Sequence, residues 1–284
     1  MKIELLQNII DVIRGKKEIR FVKVNKISLK IPPKYTNIAF ETKNGKIVTN
    51  TYESFLDIVD YNKSAEIPLF YNNLDKFSSK NIFPTRYENK LKYFEEKVIP
   101  IIDKNDIICD IGCANGDFTF EFAKHCKHID GYELSQKMVD TANNRVKDEN
   151  IKNLNFYQAS CDEIKFKSKY DKCFLMGVLC YVMDDMVAEK TLSNIDKVLK
   201  LGGYIIYRDN LNLTDTDYFF FGPSKAYKMV ARSKKKILNM FEKLNYNIFD
   251  ERTLHTLQYK SKDGTKIAET ISYTMILQKT CDNG

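Results

Sequence analysis

The chain has 284 residues, 43% of them hydrophobic and 29% charged, the composition of an ordinary globular protein able to bury one large core or a core with an accessory unit. No apolar run approaches the length that crosses a bilayer, and Lys2, Glu4, Gln7 and Asn8 interrupt the first ten residues; a membrane span and a secretory signal are not expected, and a cytoplasmic location is. The formal charge of +7 admits nucleic acid, an anionic membrane surface or an anionic small molecule, while seven cysteines without a Cys-x-x-Cys pair argue for free thiols over disulfides or zinc.

Leu5, Leu6, Ile9, Ile10 and Ile13 have the spacing of a short amphipathic helix, ended by Gly15. Beyond it, Phe21 to Val24, Lys26 to Ile31, Ile38 to Phe40 and Lys46 to Thr51 read as short strands, and Asn44-Gly45 as a hairpin turn because both residues tolerate positive φ. Residues 1–84 are therefore expected to form a small β-containing accessory segment, serving as a substrate cap or as an oligomer contact in a homodimer. Their basic residues, from Arg14 to Lys34, carry no nucleic-acid reading motif and read as solvated surface. Pro84 and the spacing Leu91, Phe94, Val98 then predict a helix from about Tyr87 to Val98 that covers one face of a sheet.

The sheet begins at Asp106. Ile107, Ile108, Cys109 and Ile111 make the continuous apolar strand expected where helices cover both faces of a parallel sheet. Gly112 and Gly116 let the backbone turn tightly beside a ligand, and Phe118, Phe122 and Ala123 mark the buried side of the following helix. His128 to Glu133 reads as a second strand tipped by a carboxylate, placed to accept from both hydroxyls of a ribose; Ser135 caps the next helix. A dinucleotide fingerprint would have Gly at position 114, where this chain has Ala. Asp110, an anion at the tip of the first strand, disfavours a pyrophosphate and favours a cofactor that brings an ammonium or sulfonium group.

Further segments follow in order: Ala159-Ser160-Cys161-Asp162, the strand Tyr170 to Gly177 with its continuation Val178 to Val182, and Val198 to Ile206 containing Gly202-Gly203. With Asp106 to Gly116 and Glu133, they resemble the class I S-adenosylmethionine-dependent methyltransferases over about residues 85–279. The resemblance implies a domain at 85–284 with a Rossmann-like α/β fold: a seven-stranded, mostly parallel sheet ending in a C-terminal antiparallel hairpin. It implies S-adenosyl-L-methionine as cofactor, with Asp110, Gly112, Cys113 and Gly116 around its methionine part and Glu133 on the ribose. Leu134 would pack on the adenine, Asp162 accept from its amino group, and Met176 and Gly177 give backbone contacts near the methionine end. The helix edge Ile237, Leu238, Phe241 and Leu244, then an extended stretch to Tyr259, a turn at Lys262 to Gly264 and a strand Ala268 to Lys279 fit the hairpin.

Methyl transfer from a sulfonium needs chiefly an aligned nucleophile and a dry site. Catalytic candidates are Tyr181, where many relatives have His, with Asp209 and His255; the candidates for touching the acceptor are Tyr181, Tyr207, Arg208 and Phe220. The aromatic run Asp217 to Pro223 reads as a cover over the acceptor or a packed insertion. Asp184 and Asp185 read as helix-capping residues, so no required metal is expected. The preferred acceptor is a small metabolite or sugar derivative, anionic in one version, methylated on oxygen or nitrogen. An RNA methyltransferase is the runner-up, since the basic run Lys225 to Lys236 could attract RNA but comes with no RNA-binding module; a non-catalytic cofactor-binding assembly protein is another alternative, and a dehydrogenase the least favoured.

Overall fold

The computed structural model describes residues 19–23, 37–43, 46–47, 84–215, 217–221, 228–260 and 266–282. The expected N-terminal helix, the Asn44-Gly45 turn and the Lys262 to Gly264 turn lie outside these residues. Three short strands, β1 (Ile19–Lys23), β2 (Asn37–Lys43) and β3 (Lys46–Ile47), come first. β2 pairs antiparallel with β1 and, through its last residues, with β3, Lys43 standing opposite Lys46.

Helix α1 (Pro84–Tyr93) starts on its proline, which needs no amide donor there, and runs on through a wide turn at Phe94–Val98 and a tight one at Ile99–Ile101. It begins three residues earlier than the apolar spacing indicates. Tyr93, Phe94 and Val98 are fully buried by it, each apolar side chain contributing about 1.5–3 kcal/mol.

The main sheet follows. β4 (Ile107–Ile111) leads through the glycine turn to the single-turn helix α2 (Thr119–Phe122), then β5 (His128–Glu133), α3 (Gln136–Asp148) and β6 (Leu154–Gln158). After β7 (Tyr170–Met176) a tight turn at Leu179–Tyr181 precedes α4 (Asp185–Val198), which runs directly into β8 (Leu199–Asn212). An insertion supplies β9 (Tyr218–Phe221) and β10 (Lys228–Ala231), after which α5 (Lys234–Glu242), β11 (Tyr246–Lys260) and β12 (Lys266–Lys279) close the chain. The sheet order is β11-β12-β8-β7-β4-β5-β6, with every neighbouring pair from β8 to β6 parallel and only β12 reversed. This is the fold expected from the sequence.

Strand alternation divides the core into two layers. Cys109, Ile111, Cys173, Leu175, Ile205, Tyr207 and Leu211 face α4 and α5, while Ile108, Phe174, Ile206 and Ile276 face α1, α2 and α3. Ser135, Asp184 and Ser233 cap α3, α4 and α5, each accepting from a backbone amide in the first turn. The aromatic insertion is paired on both sides: β9 lies antiparallel to β10 and parallel to β2, making a second sheet of order β1-β2-β9-β10. The accessory unit therefore draws strands from both the N-terminal segment and the insertion. No helix among the described residues is long and apolar enough to cross a membrane.

Candidate active site

At the carboxyl ends of β4 and β7, where ligands of open α/β sheets collect, a cleft opens to solvent. Asp110, Gly112, Cys113, Ala114 and Asn115 form its floor, α1 contributes Lys90 with Phe94 beyond it, and Met176 and Arg208 stand at the far end.

The glycine turn has this shape because no other residue fits. Gly112 has φ +68°, and a Cβ there would sit 2.4 Å from Val178 Cγ2; Gly116 has φ +83°, and a Cβ would meet the Phe120 and Phe156 rings at 2.8–2.9 Å. Ala114 between them also takes a positive φ of 52°. The Gly112 and Cys113 amides both donate to Tyr132 O, at 2.7 and 3.2 Å, which ties the turn to β5.

Asp110 is buried at the end of β4. Its Oδ2 accepts from the Thr119 hydroxyl at 2.6 Å, and among the described residues Oδ1 has no hydrogen-bond partner. Burial pushes its pKa up to about 7, against the Thr119 bond and with some help from the Glu133 charge. Glu133 closes the other end of the turn, Oε1 accepting from Ser135 N at 2.9 Å and Oε2 from Ala114 N at 3.1 Å. Burial raises its pKa too, opposed by these amides. A carboxylate has about four acceptor positions, so two remain for a pair of ligand hydroxyls. A buried carboxylate facing the cleft with an open oxygen fits a cationic group, and the tethered Glu133 fits a ribose; S-adenosylmethionine carries both.

Leu134, half-buried, follows Glu133, and its carbonyl accepts from Gln158 Nε2. Asp162 is engaged by Ser160 Oγ at 2.6 Å and Lys190 Nζ at 3.0 Å; burial pushes its carboxyl up, but these two partners outweigh that and leave it below the ordinary value. Gly177 N donates to Arg208 O at 2.6 Å, joining the end of β7 to β8.

The candidates for handling the acceptor fall into separate places. Arg208 lines the cleft, its Nε and Nη2 donating to Ser272 Oγ at 3.0 and 2.8 Å. Its neighbours Tyr207 and Asp209 point to the other face of the sheet, as alternation requires. Tyr207 is fully buried against Phe241 and so stands away from the cleft, contrary to the expectation of acceptor contact. Asp209 is equally buried, accepting from the amides of Cys180 at 2.8 Å and Asn210 at 2.9 Å, and burial pushes its carboxyl up despite Arg208 and these donors. It therefore braces the turn that carries Tyr181 instead of meeting a substrate. Tyr181 is half-buried in that turn, His255 stands on β11 opposite Ser272, and neither lines the cleft. Phe220 stands in β9 opposite Met229.

Several residues of the site escaped the sequence reading: Thr119, Lys90, Phe94, Asp117 and Phe118 around the cleft, and Ser272 behind Arg208. Lys90 on α1 and Phe94 in the wide turn that continues it are four apart, a spacing that flags a shared face without saying what it covers. Also unforeseen is a buried ionic cluster beneath the Tyr181 turn. Arg232 Nε meets Asp185 Oδ1 at 2.9 Å, while Nη1 and Nη2 donate to the carbonyls of Leu179 and Val182, both at 2.6 Å. Lys236 joins Asp185 to Asp217. Lys234 and Lys235 pair with Glu251 and Asp215, so most of the described part of the basic run is committed to carboxylates of this chain.

Comparison with known proteins agrees with this geometry. A family model described as a methyltransferase domain matches residues 102–268. A probable cobalt-precorrin-6B C(15)-methyltransferase (decarboxylating) of Methanocaldococcus jannaschii is 23% identical over 147 residues, 52% of this chain, and the chain spans 65% of that relative's length. A 23S rRNA (uracil(1939)-C(5))-methyltransferase of Legionella pneumophila is 35% identical over 63 residues, 22% of this chain and 14% of that protein. Among solved structures, an N-methyltransferase of Bradyrhizobium japonicum superposes with a TM-score of 0.52 at 14% identity, covering 70% of this chain and 98% of that one. The ordered strands, the glycine turn between Asp110 and Glu133, and the family match over most of the sheet lead to one conclusion: the chain belongs to the class I S-adenosylmethionine-dependent methyltransferases.

Proposed function

We propose that this enzyme methylates an oxygen or nitrogen of a small-molecule acceptor bound over the ends of β7 and β8. The observation that carries the reading is the lining of the cleft: the buried Asp110 and the glycine turn share it with the apolar side chains of Phe94, Phe118 and Met176, concave and largely apolar surroundings that suit a compact acceptor. When bound, S-adenosylmethionine supplies a methyl already activated on a sulfonium.

The residues then have distinct tasks. Glu133, fixed by the amides of Ala114 and Ser135, holds the ribose, and Asp110 neutralises the cationic end. Phe94, Phe118 and Met176 exclude water from the path of the methyl, where alignment provides most of the acceleration. Asp209 and Arg232 act as positioning residues for the turn that follows Val178, whose side chain packs on Gly112.

Calorimetry with S-adenosylmethionine and S-adenosylhomocysteine tests the first step. Glu133→Ala is expected to weaken both by about ten- to a hundredfold, the loss of two charge-assisted hydrogen bonds, with nicotinamide dinucleotide as the inert control. Formation of S-adenosylhomocysteine with fractionated metabolites, and none with total RNA, supports the small-molecule reading; turnover with RNA alone overturns it.

A further inference from the structure

The cleft has two electrostatic ends. Asp110 lines the end at β4, with Glu133 bound to the neighbouring Ala114 amide, and Arg208 on β8 lines the opposite end; Lys90 and Asp117 also line the cleft. The register places the two apart: Asp110 is level with Phe174 on β7, and Phe174 with Ile206 on β8, so Arg208 lies two residues further toward the carboxyl ends and two strands across. At about 3.3 Å per residue and 4.8 Å per strand, the two Cα atoms are separated by roughly 12 Å.

The guanidinium is also held in one orientation, turned away from β4. Nε and Nη2 both donate to Ser272 Oγ on β12, and Nη2 also reaches Asn210 Oδ1 at 3.3 Å. These partners are neutral. Among the described residues no carboxylate forms an ion pair with Arg208, and the nearest in sequence, Asp209, is on the opposite face and bound to backbone amides. Nη1 remains, directed over the chain after β7, where it would stand 3.3 Å from a Cβ on Gly177. A half-buried arginine fixed by a hydroxyl and an amide, with its remaining edge on a cleft, is preorganised for an oxyanion.

We propose that Arg208 is the anchor for a carboxylate or phosphate on the methyl acceptor, and that Ser272 and Asn210 set the angle of its fork. The proposal rests on the methyl-transfer reading and narrows it to anionic acceptors. Strand order favours the acceptor over the cofactor's own carboxylate as the source of the anion. Arg208 is tied toward β12, on the side of β8 away from β7, while the cofactor's carboxylate, whose expected contacts at Met176 and Gly177 adjoin Arg208, is the competing source that the test separates.

The test uses inorganic phosphate and acetate as probes, titrated at constant ionic strength into protein saturated with S-adenosylhomocysteine. The readout is the arginine Nε–H resonance that is missing from Arg208→Gln. Expected are a saturable shift of that resonance, no phosphate binding by Arg208→Gln, and at least about tenfold weaker binding by Arg208→Lys, which keeps the charge and loses the fork. Both variants should bind S-adenosylhomocysteine within about twofold of wild type, which also shows that they fold. Absence of a saturable shift, or an equal shift with chloride, overturns the proposal. So does a tenfold loss of S-adenosylhomocysteine affinity in Arg208→Gln with 5′-methylthioadenosine binding unchanged, because Arg208 would then hold the cofactor's carboxylate. Failure of wild type to bind S-adenosylhomocysteine at all would count against the methyl-transfer reading, and the phosphate titration of the free protein would still report on Arg208.

Discussion

Asp110 holds its proton to an unusually high pH for an aspartate, about 7 against an ordinary 3.8, because burial penalises its charged form more than the Thr119 bond favours it. The folded state therefore binds this proton more readily than the unfolded chain between those values. Its contribution to stability falls as pH rises through that window and is constant above about 7. Cofactor binding has the opposite slope, since a cationic ligand selects the ionised carboxylate. Affinity for S-adenosylmethionine is expected to rise between pH 5.5 and 7.5, by up to about tenfold per unit on the acid side, and to lose that slope in Asp110→Asn. Calorimetry across the range checks it; a flat profile in wild type would mean that the carboxylate is already ionised at pH 5.5. At this scale the sequence was informative where backbone constraint and chemistry coincide. Asp110, Gly112 and Glu133 stood out because a turn with positive φ and two strand-tip acids have few alternative explanations. Thr119 did not, since a hydroxyl at a helix start reads as an ordinary first-turn residue. The misreading of Tyr207 came from sequence adjacency: neighbours on a strand point to opposite faces, and only Arg208 faces the cleft.

Among the elements, the turn Leu179–Tyr181 depends most on residues remote in sequence. Arg232, at the end of β10, donates to two of its carbonyls and to Asp185, the first residue of α4; Asp209 on β8 accepts from its Cys180 amide. Replacing Arg232 by Met leaves Asp185 with Lys236 alone and takes the donor from two carbonyls, and loss of one partner from a buried charge pair costs up to about 3–5 kcal/mol. The expected outcome is a lower urea midpoint with the denaturant slope unchanged. If the turn serves the acceptor and not the cofactor, the folded fraction retains S-adenosylhomocysteine binding while turnover is lost. The helices and strands of the main sheet were legible because their patterns are local: the continuous apolar run of β4, the apolar spacing on α5, and the capping serine at 135. The Arg232 cluster was not, because the partners span residues 179–236 and each reads alone as surface charge. Lys236 illustrates this, appearing as one of a basic run and ending between Asp185 and Asp217.

The molecule as a whole combines a methyltransferase sheet with a smaller sheet assembled from two distant stretches of chain. Removing residues 1–83 takes away β1, β2 and β3, leaving β9 paired only with β10. Such a truncation is expected to keep S-adenosylhomocysteine binding within about threefold, because the hydrogen bonds that hold Asp110, Glu133 and the glycine turn lie within the main sheet and its loops. Amide hydrogen exchange should quicken in 218–221 and 228–231 and stay unchanged in β4 and β5. Equal loss of protection throughout would make the first segment part of the core. The seven-stranded order was foreseen because it accompanies the motifs of the family; the partnership of the insertion with the N-terminal strands was not, because nothing in the Tyr218 to Phe221 run names its neighbour. That partnership also imposes an order of events during synthesis. Asn37 pairs with Tyr218 and Ile38 with Phe219, a separation of 181 positions, so β2 leaves the ribosome long before its parallel partner exists. At about 5–20 residues per second the delay is roughly ten to forty seconds, ample for β4 to β8 to collapse as they emerge. β2 pairs with β1 and β3 at once, but during that interval its edge later covered by β9 is available to any passing chain.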